Sequence, residues 1–227
     1  NTGGTAYGNE VTFMTQSFAV GQNYGGGKIF YIYPDGQSGL ISATSDQSLS
    51  ATWGCKGTPI GGTAIAIGTG QANSAAIVNG CSTPGIAARI CQDLFMNGYH
   101  DWVLPSKDEL NQMYNKRSVI GGFPPYSDYW SSSEIDLNIT WYQDFGLSGY
   151  QSGKSKDHLE HVRAIRSFPA FVTTAAVTSI SNNKATSGGD ITFNGGPYVE
   201  HRGVCWNTSS GPTINNPHTS DGSSNGS

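Results

Sequence analysis

Partial strand patterns stand at both ends of the chain, and they limit what it can fold into alone. Over residues 1–15 (NTGGTAYGNEVTFMT), Val11 and Phe13 alternate with Glu10, Thr12 and Met14 behind a Thr-Gly-Gly turn. That period of two marks a half-buried strand, here read as the last strand of a β-sandwich. Over residues 171–207, Ala175, Val177 and Ile180, then Ile191 and Phe193, then Val199 and Val204, form short runs separated by Asn-Asn, Gly-Gly and Gly-Gly-Pro turns. These read as the first strands of another sandwich. Neither end is a whole domain. The expected division is therefore 1–17, 18–169 and 170–227, a complete domain between two partial ones.

The composition fits that reading. With 227 residues, one domain of about 150 residues plus fragments is expected. Charged residues make up 12%, about half the usual share, and there are 31 glycines. This suits a loop-rich extracellular protein better than a cytosolic enzyme. The net charge is −4 with Lys and Arg scattered singly, so a nucleic-acid partner is not expected. No apolar run approaches the roughly 18–20 residues of a membrane span. Of the four cysteines, Cys55 and Cys81 both follow glycine in loop-like sequence and are the disulfide candidates. Cys91 falls on the apolar face of an expected helix and Cys205 in a strand, so both are expected as buried thiols.

In the central segment, residues 28–33 (KIFYIY) and 38–44 (SGLISAT) read as a hairpin around Pro34-Asp35-Gly36. A long Gly/Ala/Thr-rich loop follows, with a short helix over 72–78, and a loop of that length calls for a staple. A helix is expected after Thr83 and Pro84, with Ile86, Ala87, Ile90, Cys91 and Leu94 on one face. A second should start at Ser106, where Ser106-Lys107-Asp108-Glu109 spells a capping box. Three strand-like runs follow at 129–134, 140–145 and 161–168, the last available to pair with the opening hairpin.

Two resemblances rest on these residues. Gly188, Gly189, Arg202, Gly203, Val204, Cys205 and Trp206, together with residues 1–15, resemble the opening and closing patterns of fibronectin type III-like repeats in large surface proteins of Bacteroidetes-type bacteria. Trp53-Gly54-Cys55, residues 66–70 (AIGTG), 101–111 (DWVLPSKDELN), 129–134 (YWSSSE) and 162–166 (VRAIR) resemble the bacterial family named for the C-terminal domain of the Lcl collagen-like adhesin. The implied fold class is α+β: a C-type lectin-like central domain with two helices and a small antiparallel sheet, flanked by all-β sandwich fragments. The implied role is a noncatalytic binding or adhesion module at the bacterial cell surface. Its partners would be neighbouring repeats of the same polypeptide or identical chains, with a glycan or surface protein as ligand.

The chemistry agrees in what it lacks. No GxSxG, HExxH or GxxxxGK[ST] is present, and no cofactor is expected. His158 and His161, with Asp157 and Glu160 beside them, could pass for metal ligands; exposed loop residues are the plainer reading, and no metal is expected. The acidic and amide triplets of calcium-binding animal lectins do not occur, and the loop at 135–139 is too short for their site. Trp130 and Trp141 could stack on a pyranose, but their place inside strands favours core packing. The exposed binding candidates are Asp136, Asn138, Tyr150, Gln151, Lys154, Lys156 and His158, on loops flanking the central strand. Glu134 and Asp144 are expected to hold those loops. Arg163 and Arg166, three apart in the last strand, should face opposite sides, one of them buried against Glu134 or Asp144. The competing reading is a purely structural bead of an extracellular filament, in which residues 1–15 of one copy complete the sheet edge left by 171–207 of another.

Overall fold

The computed structural model describes residues 17–61, 64–146, 148–168, 171–174, 178–179, 186, 189–193, 203–207 and 215–221. The strand expected over residues 1–15 lies outside them, as do Ala175, Val177, Ile180, Gly188, Val199 and Arg202.

In chain order, β1 (Asn23–Tyr24), β2 (Gly27–Ile32) and β3 (Gly39–Ser42) open the fold, followed by β4 (Ser48–Ala51). Helices α1 (Gly70–Gly80), α2 (Ala87–Gln92), α3 (Lys107–Asn115) and α4 (Arg117–Ile120) come next. Then follow β5 (Asp128–Glu134), β6 (Ile139–Asp144), β7 (Gln151–Ser155), β8 (Glu160–Val162) and β9 (Ile165–Phe168). Last comes a two-stranded antiparallel ribbon of β10 (Phe171–Thr174) and β11 (Gly189–Phe193), with Phe171 opposite Phe193.

The strands before that ribbon make two sheets. One has the order β1-β2-β3-β9 and is antiparallel throughout. The other has the order β4-β8-β5-β6-β7, in which β5 and β8 run parallel at Tyr129 and His161. This corrects the expected fold class. The architecture is a sandwich-like mixed α+β fold dominated by two sheets and four short helices, and not a clear two-helix lectin-like domain with one small sheet. The reason lies in residues 161–168, read as a single strand. Val162 belongs to β8 of one sheet and Ile165 to β9 of the other. Between them the backbone crosses over: Ala164 donates to Gln47 Oε1 at 2.6 Å and accepts from the Ala43 amide at 3.0 Å.

Local signals account for most element limits. Gly25 and Gly26 turn β1 into β2 with φ of 53° and 87°, the left-handed pair that a two-residue hairpin requires. The β2–β3 turn is held by Asp35, whose Oδ1 accepts from the Gln37 and Ser38 amides at 2.8 and 2.9 Å. A bulge in β2 turns successive residues Ile29 and Phe30 inward, each into a different core cluster. Helix α3 starts at the expected box: the Glu109 amide donates to Ser106 Oγ and the Ser106 amide to Glu109 Oε2. Helix α2 starts three residues later than expected, because Gly85 takes φ 69° and Ile86 stays extended.

The main core gathers Ile29, Ile41, Trp53, Ile77, Ile86, Trp102, Trp130 and Val162. The buried indoles of Trp53 and Trp130 donate to the Ser131 and Ala51 carbonyls at 2.9 and 2.7 Å, which removes the cost of burying an unpaired N–H. Cys55 and Cys81 form the disulfide, with Cα atoms 5.8 Å apart, and anchor the long segment before α1 to its end. Cys91 is a buried free thiol, while Cys205 is only half-buried, in a short bridge to His218. Phe18 meets Phe168 with ring centroids 4.7 Å apart, so the two ends of the central domain touch.

Candidate functional site

The five-stranded sheet ends at β7, and Trp141 on the neighbouring β6 is half-exposed, whereas Trp53, Trp102 and Trp130 are buried in the core. Along β6, Ile139, Trp141 and Gln143 share the side on which α3 packs; Gln143 is buried there against Asn111, while Ile139 and Trp141 are half-exposed. Its cross-strand partner on β7 is Gly153, which offers no side chain to cover the indole. An ideal Cβ on Gly153 would sit 2.8 Å from Ile139 Cγ2 and 3.0 Å from Ile135 Cδ1. Ile139 and Ile135, the latter 44% exposed, thus lie against Gly153, and with the half-exposed indole on the neighbouring strand they make a shallow platform.

Polar groups border it. Lys107, first residue of α3, places its Nζ 5.0 Å from the centroid of the Trp141 ring and 3.3 Å from Asp108 Oδ1. The lysine is fixed by its own backbone: its amide donates to Ser133 Oγ at 3.0 Å and its carbonyl accepts from Gln151 Nε2 at 2.7 Å. The capping box thus aims a cation at the indole as well as starting a helix. The open sheet edge adds main-chain groups. Asp144 N bonds Tyr150 O and Lys156 N bonds Asn138 O, so residues 150, 152, 154 and 156 turn their main chain toward β6. Residues 151, 153 and 155 turn theirs toward the edge. The platform is chemically suited to an apolar ring face with hydroxyls around it; it holds no nucleophile and base in contact.

The seven residues expected as exposed binding candidates do not share this surface or any other. Tyr150 and Lys156 flank β7, about 20 Å apart along the strand. Asp136, Asn138 and His158 are exposed near the opposite end from Tyr150, beside Lys56, which pairs with Asp157 at 2.8 Å. Asp136 folds back on its own turn, accepting from the Asn138 and Ile139 amides. Tyr150 is 51% exposed with its hydroxyl 2.9 Å from that of Tyr142. Gln151 is half-buried and holds Lys107. Lys154 is drawn between Asp128 and Glu160 at 2.5 and 2.7 Å.

Lys156 requires correction outright: it is fully buried. Its Nζ contacts Glu134 Oε1, donates to Thr58 O at 3.2 Å and lies 4.6 Å from the Trp53 ring centroid. Glu134 also accepts from the Ile60 and Gly61 amides. Burial opposes its charge, but those amides and Lys156 outweigh it and hold the carboxyl below its usual range. Glu134 and Asp144 each hold a loop, Asp144 through the Gly146 amide and the Ser148 hydroxyl.

Neither arginine pairs with these two carboxylates. Both arginines are buried: Arg163 Nε donates to Asp46 Oδ1 and Arg166 forks onto Asp101, each at 2.7 Å. Asp46 also takes the Tyr129 hydroxyl and His161 Nδ1. That use of His161 separates it from His158, and no cluster of three or more His, Cys, Asp or Glu is placed to hold a metal among the described residues. No helix among them is long and apolar enough to cross a membrane.

Of the two tryptophans expected in the core, Trp130 is buried and Trp141 is half-exposed. The usable signal was the pairing of Trp141 with a glycine across the strand, a register no single sequence reveals. No protein-family model matches the chain, and no curated protein matches it either.

Proposed function

We propose that the chain is a noncatalytic binding module of an exported, multidomain bacterial surface protein, and that it takes a sugar ring on the Trp141 platform. The observation carrying this is the half-exposed indole beside side-chain-free Gly153, with the Lys107 ammonium 5.0 Å from the ring. An indole face matches the apolar face of a pyranose, while an ammonium and open main-chain groups match its hydroxyls. The disulfide, the low charge content and the motif resemblance to the Lcl C-terminal-type family support an extracellular setting.

The test is a screen of the chain across immobilised glycans and host matrix proteins, repeated with Trp141→Ala. A glycan bound by the parent chain should lose at least about 2 kcal/mol, or about 30-fold in affinity, in the variant. Unchanged glycan binding in Trp141→Ala overturns the platform. Binding to a protein alone overturns the sugar assignment, and no binding at all favours a purely structural bead.

A further inference from the structure

On the opposite face of the same sheet, Lys154 of β7 reaches across β6 to carboxylates on two other strands. Its Nζ lies 2.5 Å from Asp128 Oδ2 on β5 and 2.7 Å from Glu160 Oε1 on β8. All three side chains are mostly buried, 18%, 25% and 13% exposed. An aromatic wall closes the cluster: the ammonium sits 4.0 Å from the Tyr142 ring centroid, and the Tyr142 hydroxyl meets that of Tyr150. One amine thus stands within contact of one carboxyl, with a second carboxylate on the same nitrogen and much of the surrounding water excluded.

We propose that Lys154 and Asp128 condense into an intramolecular amide, with Glu160 carrying the proton, so that β5 and β7 become covalently joined across β6. The atoms balance without any co-reactant. Lys154 passes an ammonium proton to Glu160, the neutral Nζ attacks Cγ of the Asp128 carboxylate, and an N–C bond forms as Glu160 hands that proton to an Asp128 oxygen. Glu160 then carries the second departing Nζ proton to the same oxygen, which leaves as water, and the site loses one positive and one negative charge together. Held in contact, the two groups react at an effective concentration on the order of 10⁵ M or more. Burial lowers the pKa of Lys154, but Asp128 and Glu160 more than offset this and keep the ammonium favoured, so the reactive form is a minor one. A bond formed once per molecule tolerates a slow step.

Intact mass and tryptic mapping of the purified chain decide the matter. No Lys or Arg lies between Arg117 and Lys154, so Asp128 and Lys154 fall on one tryptic peptide. The expected chain is lighter by one water beyond the disulfide hydrogens, and resists cleavage after Lys154, giving a dehydrated 118–156 peptide. Lys154→Arg should restore the full mass, and Glu160→Gln should leave most molecules unreacted while folded by circular dichroism. Full mass in the parent chain overturns the proposal. So does a water loss that leaves Lys154 cleavable, which marks a cyclised aspartate elsewhere. Complete water loss in Glu160→Gln overturns the role of Glu160. None of these outcomes depends on ligand binding at Trp141.

Discussion

Buried charge is the dominant device at the residue scale. Lys156 and Glu134 form an ion pair from which water is excluded, and they pin residues 58–61 to the sheet. Removing one partner leaves the other charge buried, which costs far more than the intact pair contributes. Lys156→Met is therefore expected to destabilise the fold by about 3–5 kcal/mol, read from urea unfolding. A change under about 1 kcal/mol, typical of an exposed pair, would show that Lys156 reaches solvent after all. Identifying the partners of such residues from the sequence was not possible. Arg163 finds Asp46 117 positions away and Arg166 finds Asp101 65 positions away, separations set by the sheet crossover and by no local pattern. What was local was readable: Asp144 was expected to hold the loop beside it, and it does, whereas Glu134 holds Ile60 and Gly61, far away in sequence and outside the loops expected.

At the scale of elements, the same division holds between near and distant causes. The α3 capping box could be read from four consecutive residues because both of its hydrogen bonds close within them. Ser106→Ala should cost about 1 kcal/mol and, since Lys107 follows it, also loosen the cation beside Trp141. The opening hairpin was equally legible from its Pro-Asp-Gly turn. The single strand expected over 161–168 was not: no turn residue interrupts it, but the chain changes sheets at Arg163 and Ala164, and only contacts with Ala43 and Gln47 make that visible. The disulfide was inferred from two glycine-preceded cysteines flanking a long segment. It closes a loop across a separation of 26 residues, so Cys81→Ser should lower stability by about 3–4 kcal/mol on loop entropy. A variant with unchanged unfolding would mean the segment is held by Glu134 and the core alone.

Across the whole molecule, turns and loops around the two sheets are held by carboxylates that work only when ionised. Burial opposes the charged form at Glu134, Asp144 and Asp35, yet hydrogen bonds win at each and depress all three below their usual 4.5 and 3.8. Groups with lowered folded pKa values add stability that is complete above their unfolded values and lost as pH falls through the folded ones. The melting temperature should therefore be insensitive to these groups above about pH 5 and fall below about pH 4; a flat profile to pH 2.5 would contradict this account of the loops. The same architecture leaves Trp141 half-exposed at the start of α3, and there an aromatic ring, a glycine and a cation stand together. The most direct test of that convergence is the affinity for any glycan found by screening, measured in parallel for the parent chain, Trp141→Ala and Tyr150→Ala. The account predicts a loss of about 30-fold or more for Trp141→Ala and little change for Tyr150→Ala, on the other side of the sheet. The reverse ranking, or equal affinities for all three, would place the binding site away from Trp141.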